Sequence, residues 1–445
     1  MLNKSSVDIF TFTSTGKDSK LDKIIDYSLN MISSGEETVV YVYPSVPDVL
    51  SASIFIHKLI EFNSPIVVRL EPSIDVERVK NLNLISIGIP LSKKRYDELA
   101  KNVKKALILG LCVEGLSKSK GNANIVCSTK YSGSAIYTWK ILKEKLDALD
   151  YVLTLASLVS SNFFKIPKDP LEKSLISDAV AKQIIDEFKG VRIFGIHRKP
   201  LYKALSESLI PYLYGLTSNE NASKEFVKEF GIEDFSSKLA DHEASTIKRI
   251  IESILKLANK LAPNTWRVED LIGEMYILKT PLQHLSDDLL EFSAQLTAIS
   301  ENLGLHKSVF IKEYFDMVIK SYIRSYYDTL RNVSKCFEEA LREPSREFDV
   351  GGRRVKVVKA NYLSEYRAFH MLESVILTSG YADLSDIIVF EGKEGFLMTY
   401  FTIKRVFLAR ASKAIEVLSR KSEKPLEAGF LFSNLRDIIS SLRKV

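Results

Sequence analysis

The stretch from Thr38 to Leu70 constrains this chain more than any other. Val39 to Tyr43 is a β-branched and aromatic run, the composition of a buried strand. Pro44, Ser45, Pro47 and Asp48 follow as turn residues. Leu50, Ile54, Ile56, His57 and Ile60 then recur at the spacing of a helix, and a second apolar run, Ile66 to Leu70, completes a βαβ unit. Such a unit commits the chain to parallel strand pairing, and its chemistry, where there is any, to the carboxyl end of the first strand.

The pattern continues on both sides. Leu21 to Ile32 reads as an amphipathic helix, and Leu84–Ile89, Ala106–Leu109 and Asn124–Val126 read as further strands, with a helix over Lys94–Lys104. Strands alternating with helices predict an α/β layer with a mostly parallel sheet. From Ser132 the chain turns helical. Tyr151 to Phe164 has the look of a buried helix, Leu171 to Phe188 of another, and residues 224–343 are mainly helical, with long segments at Ile247–Leu261 and Leu285–Leu303. A charged stretch with Pro344 and then Gly351-Gly352 marks a break. Beyond it, Asp386–Glu391 and Gly395–Thr402 read as strands and Phe407–Leu418 as a helix, before a last strand and helix. The expected organisation is an α/β domain over 1–215, a helical middle region over 216–345 and a smaller α/β domain over 346–445.

With 445 residues, 46% of them hydrophobic and 27% charged, the chain has enough apolar material for several cores and is ordinary for a globular protein. No apolar run reaches transmembrane length, and the leader is too polar for a secretory signal. Cys112, Cys127 and Cys336 show neither metal-ligand spacing nor a disulfide framework. A cytoplasmic, nucleoid-associated setting without membrane contact is expected. The net charge of +6 permits contact with nucleic acid without demanding it. Tyr314, Tyr322, Tyr326 and Tyr327 alternate with Lys320, Arg324 and Arg331; the pattern suits base stacking, but at helical spacing packing is the commoner role. The six histidines, His57, His197, His242, His284, His306 and His370, are scattered, with no i, i+4 pair, and read as surface or structural residues.

The turn after the first strand resembles the first signature of the DHH phosphoesterases, the family of the RecJ nucleases, which begins His-x-Asp-x-Asp-Gly. Pro44 falls on the histidine, Val46 on the first aspartate and Asp48 on the second. The run Gly195, Pro200, Leu201, Ala204, Leu205, Pro211, Gly215, Leu216 is similar to archaeal RecJ-like proteins. Members of the family hold two divalent metals, typically manganese, in a cage of aspartates and histidines, because adjacent hard cations need several anionic oxygens. Carried over residue by residue, the later signatures are degenerate. The strand Leu84–Ile89 is followed by no aspartate; Gly110, Leu111 and Cys112 stand at the Asp-His-His; Ser161 stands at the fourth motif; Ser422, Glu423 and Lys424 replace the Gly-Gly-His before Pro425.

One ligand position cannot hold a binuclear site, so no metal, cofactor or catalytic residue is expected, and Asp48 on its own reads as a helix-capping side chain. The resemblance thus implies a family member without nuclease motifs, like the replication factor CDC45, associated with the GINS complex and the MCM helicase ring as an archaeal-type scaffold of the CMG assembly. Two alternatives stay open. One is a single-stranded DNA binder that uses the groove between domains, with phosphates held by Arg353, Arg354, Lys356 and Lys359 or by Lys421 and Lys424. The other is a residual single-strand nuclease with a rebuilt metal site.

Overall fold

The computed structural model describes residues 9–11, 19–111, 123–128, 134–279, 282, 284–343, 345–363 and 367–445. The first lobe comprises β1 (Ile9–Thr11), α1 (Ser19–Ile32), β2 (Thr38–Val42), α2 (Val46–Glu61), β3 (Ile66–Leu70), β4 (Asn83–Ile87), α3 (Lys93–Asn102), β5 (Lys105–Leu111) and β6 (Ala123–Ser128). The strands form one sheet in the order β1-β6-β5-β4-β2-β3, with every pair parallel. Central β2 and β4 are buried along their whole length, as strands covered on both faces must be. Helix α2 is buried almost all round, which its weakly amphipathic, mostly apolar sequence allows. Pro47 sits in its first turn, where the missing N–H leaves no helical hydrogen bond unmade. The βαβ unit expected from the sequence is therefore present, and the helix starts earlier, at Val46.

Next come α4 (Ala135–Leu142), α5 (Ala148–Ser161), α6 (Pro170–Ala181), β7 (Ile185–Val191), α7 (Leu201–Glu207), α8 (Glu220–Lys228), α9 (Ala244–Ala258), α10 (Val268–Leu271), β8 (Ile272–Leu278), α11 (Leu289–Leu303), α12 (Leu305–Ser308) and α13 (Phe315–Arg342). One helix expected from the sequence is corrected. Leu171–Phe188 is not a single helix: α6 stops at Ala181, the chain reverses through Gln183 at φ 58, and Ile185–Val191 pairs antiparallel with Ile272–Leu278. Its partner strand is remote in sequence, so local periodicity carried no sign of it. β7 and β8 thus form a two-stranded ribbon among these helices.

The last part contains β9 (Arg346–Asp349), β10 (Arg354–Lys359), α14 (Phe369–Thr378), β11 (Ile387–Gly392), β12 (Gly395–Thr399), α15 (Tyr400–Phe407), α16 (Ala411–Ser419), β13 (Lys424–Pro425), β14 (Gly429–Phe432) and α17 (Leu435–Leu442). Its sheet runs β13-β14-β12-β11-β10-β9, antiparallel except for β10 with β11. Gly351 and Gly352, at φ 63 and 74, make the turn joining β9 to β10 and so lie inside this sheet; Pro344, the other half of the break read from the sequence, lies outside the described residues. The strand expected over Gly395–Thr402 ends at Thr399, because the Thr399 hydroxyl caps a new helix by accepting from the Thr402 N–H at 3.0 Å.

The described residues form two apolar cores. One runs through α2, α4, α5, α11 and α13. The other takes the opposite face of the first sheet, with Val39, Tyr41, Leu84 and Ile108, and continues into the last sheet through Tyr400, Met398, Val389 and Phe430. The mixed α/β architecture expected from the sequence is the one observed. No helix among the described residues is long and apolar enough to cross a membrane.

Candidate functional site

The carboxyl end of β2 is where a βαβ unit places its ligand, and here it carries Asp48, the one acidic residue of the first signature. Ser45 is the N-cap of α2, and Asp48, three residues on, lies in the first helical turn, not at the cap as expected. Its side chain is fully buried. The Ser45 hydroxyl donates to Oδ2 at 2.6 Å, and the Ser134 hydroxyl donates to Oδ1. Oδ2 also receives the Lys404 ammonium at 2.6 Å, with the two side chains 0% and 3% exposed. Lys404 arrives from α15, across the whole chain, and its Nζ also lies 4.9 Å from the centroid of the Tyr43 ring. Tyr43 in turn donates its hydroxyl to the Tyr400 carbonyl at 2.7 Å. Burial lowers the Lys404 pKa, and the Asp48 carboxylate draws it back up.

These residues do not fit a pair of divalent metal ions. Both Asp48 oxygens are already engaged by two hydroxyls and an ammonium, and the described residues contain no cluster of three or more His, Cys, Asp or Glu able to hold a metal. Gly88, just past β4, has φ 76, and a Cβ placed there would stand 2.3 Å from Asp48 Cγ, so no larger residue has room beside this carboxylate. Gly110 is buried next to Gly88, while Cys112 lies outside the described residues, as does the side chain of Leu111. Pro44 and Val46 are buried at the start of α2. Ser161 donates to the Leu158 carbonyl at 2.8 Å within α5, away from Asp48's set of partners. Ser422, Glu423 and Lys424 sit on the approach to β13, with the Glu423 N–H donating to Leu431 O at 2.9 Å.

Two cavities among the described residues lie beside the ion pair. The smaller, about 320 Å³, runs from Pro44 and Val46 to Glu301, His306, His370 and Glu427. The larger, about 780 Å³, has Glu71, Glu416 and Glu427 against Arg95 among its charged walls, with Ser422 at its edge. His370 is the one histidine fully integrated into a core. Its Nε2 lies 2.9 Å from the Ser160 hydroxyl, Nδ1 is buried without a hydrogen-bond partner, and burial lowers its pKa to about 4. Glu301 accepts the His370 N–H at 2.9 Å, and burial pushes its carboxyl up to about 8 although the first N–H groups of α14 pull it down.

The Glu301 shift has a consequence for stability. Between about pH 4.5, where an unfolded glutamate ionises, and about 8, the unfolded chain has released a proton that the folded chain keeps, so this carboxyl costs stability as pH rises. His370 acts oppositely, costing stability as pH falls from about 6.5 to about 4. Glu301→Gln is expected to raise Tm at pH 8 by several degrees more than at pH 5. Equal shifts at both pH values, in thermal melts followed by circular dichroism, contradict an elevated Glu301.

The cations proposed for phosphate are mostly engaged. Arg354 bonds Asp386 through Nε at 3.0 Å and Asp383 through Nη2 at 2.6 Å; Lys356 pairs with Glu347 at 3.0 Å, and Lys359 pairs with Glu343. The Arg353 guanidinium stacks 4.5 Å from the Phe407 ring centroid. Lys421 and Lys424 are exposed. Sequence reading missed Lys404, Ser134 and Glu301. The signal for the first was present: Lys404-Arg405 are adjacent cations inside the apolar run from Phe396 to Phe407, and both prove buried, Arg405 against Glu373 at 3.1 Å.

No protein-family model matches the chain, and no curated protein matches it in sequence. Solved structures do. The crystal structure of CDC45 from Entamoeba histolytica superposes with a TM-score of 0.64 at 12% identity, over 98% of this chain and 99% of that one. Exonuclease RecJ bound to manganese gives 0.45 at 9% identity over 97% and 94%, and RecJ from Thermus thermophilus with Mn²⁺ gives 0.45 at 8% over 95% and 53%. The chain thus shares the fold seen in CDC45, along nearly the full length of both chains.

Proposed function

We propose that this chain is a non-catalytic DNA replication factor of the CDC45 type, a scaffold that associates with GINS and the MCM ring in the replicative helicase. The observation that carries the reading is the Asp48–Lys404 ion pair: a protein ammonium neutralises the carboxylate that in a DHH nuclease faces metal, and it locks the first lobe to the last. A fixed ammonium supplies charge without open coordination positions, so it neither lowers the pKa of a water nor bridges a phosphate. The full-length likeness to CDC45 supports the same reading.

The test is affinity purification of the native protein from its own cells with the bound proteins identified by mass spectrometry. GINS subunits in near-stoichiometric amount are the expected result; their lack, with nucleic acid recovered instead, sinks the scaffold. Clean protein with manganese and labelled single-stranded DNA is expected to show no cleavage. Digestion that disappears in Asp48→Asn would revive the nuclease. The groove-binding alternative finds less support, because Arg354, Lys356 and Lys359 are held in ion pairs and the larger cavity carries three carboxylates against one arginine.

A further inference from the structure

The ribbon of β7 and β8 has two outer edges, and they differ. Along β8 the Leu278 N–H donates to the Asp287 carbonyl at 2.8 Å, and Arg192 Nε donates to the Glu274 carbonyl at 2.9 Å. That edge is closed to a further strand. Along β7 the edge is open. The bonds at the ends of the ribbon, Arg192 N–H to Leu271 O at 2.7 Å and Lys279 N–H to Ile184 O at 3.0 Å, fix the alternation between them. Phe188 therefore bonds to β8, while the N–H and C=O groups of Glu187 and Lys189 face outward. These groups have no hydrogen-bond partner among the described residues, and Asp186, Glu187, Phe188 and Lys189 are exposed in succession.

An unpaired strand edge invites another strand, and the charges on it decide which one. Glu187 and Lys189 project from the same face of β7. Neither makes an ion pair among the described residues. Glu274, across from Lys189, is held by Arg192 at 3.0 Å, and the residue across from Glu187 is Tyr276. The edge is its own complement. In an antiparallel pairing with β7 of a second copy, centred on Phe188, Glu187 of each copy stands opposite Lys189 of the other. Each such pair exchanges both its hydrogen bonds and aligns opposite charges. A slip of two residues sets Glu187 against Glu187 or Lys189 against Lys189, so the charges admit one register and reject its neighbours. On the other face Phe188 of each copy meets across the two-fold axis, where directly opposed side chains approach most closely, and Asp186 faces Gly190.

We propose that two copies of this chain associate through their β7 edges, joining their ribbons into one antiparallel sheet about a two-fold axis. A contact built on one short strand belongs to the small, transient class of interfaces, below about 1,200 Å², so the dimer forms and dissociates with concentration. The inference stands apart from the replication reading and holds whatever larger assembly the chain belongs to.

The test is sedimentation velocity of the full-length chain over a series of concentrations. The wild type is expected to pass from monomer to dimer as concentration rises. Glu187→Lys and Lys189→Glu each set like charges opposite one another at both symmetric pairs, and each should weaken the dimer at least about tenfold, a difference of about 1.4 kcal/mol. Both sites are exposed, so an unchanged melting temperature is the control for folding. The double variant Glu187→Lys/Lys189→Glu should recover the dimer, and an equimolar mixture of the two single variants should form a mixed dimer where neither pairs alone. A wild-type chain that stays monomeric overturns the proposal, as does a dimer that the charge reversals leave unchanged. A monomeric chain that instead binds an unrelated extended peptide, with an affinity that follows the same reversals, also overturns it and assigns the edge to a strand of another protein.

Discussion

Lys404→Met is expected to destabilise the protein by about 3–5 kcal/mol in urea unfolding, because it leaves the Asp48 carboxylate buried with two hydroxyls and no counter-charge. Methionine keeps most of the lysine's length and packs in the same apolar surroundings, so the loss reports charge and not a cavity. Asp48→Asn should cost a comparable amount, since it strands an ammonium that burial already pushes towards the neutral form. The double variant Asp48→Asn/Lys404→Met removes both charges and should recover a large part of either loss, the coupling expected of partners in direct contact. If the single variants cost under about 1 kcal/mol, or the double costs their full sum, the pair is not what joins the lobes.

Gly88→Ala is expected to cost about 3 kcal/mol or more for two separable reasons. A residue with a Cβ at φ 76 carries strain of about 1–3 kcal/mol. The Cβ would also press on Asp48, 2.3 Å from both Cγ and Oδ1, an overpacking worth about 1–3 kcal/mol. Gly35 separates the two terms: it has φ 67 but nothing within 4 Å of a would-be Cβ, so Gly35→Ala should show the backbone cost alone. Gly88→Asp, which sets a second carboxylate against Asp48, should be worse than Gly88→Ala and gain no manganese affinity by calorimetry. A stable Gly88→Asp protein that binds manganese would overturn that expectation.

What the chain order reveals about itself depends on how far apart the interacting residues lie. The βαβ unit was legible because Val39–Tyr43, Pro47 and Ile66–Leu70 state strand, turn and strand within one short stretch. That Asp48 is the one acidic residue of its turn could be read from the sequence, but its partner could not: Lys404 lies 356 positions from Asp48, and only the folded chain brings them together. The same distance hid β7 behind what reads locally as the end of a helix, because the hydrogen bonds that make it a strand come from Ile272–Leu278. At Thr399, a single capping hydroxyl decided between strand and helix for residues whose apolar spacing suited both.

The second core has a bearing on how the protein is made. One face of the first sheet, formed by Val39, Tyr41 and Leu84, is covered together with Tyr400, Phe430 and Phe432, residues near the end of the chain. Residues 74–103 supply the near part of this core early in synthesis, but its remainder stays uncovered until Tyr400 to Phe432 have emerged from the ribosome. Contacts so distant in sequence slow folding and lengthen the interval in which strand edges and apolar side chains are open to wrong partners. Chains truncated within the last lobe should accordingly be lost to aggregation rather than accumulate as a free first lobe.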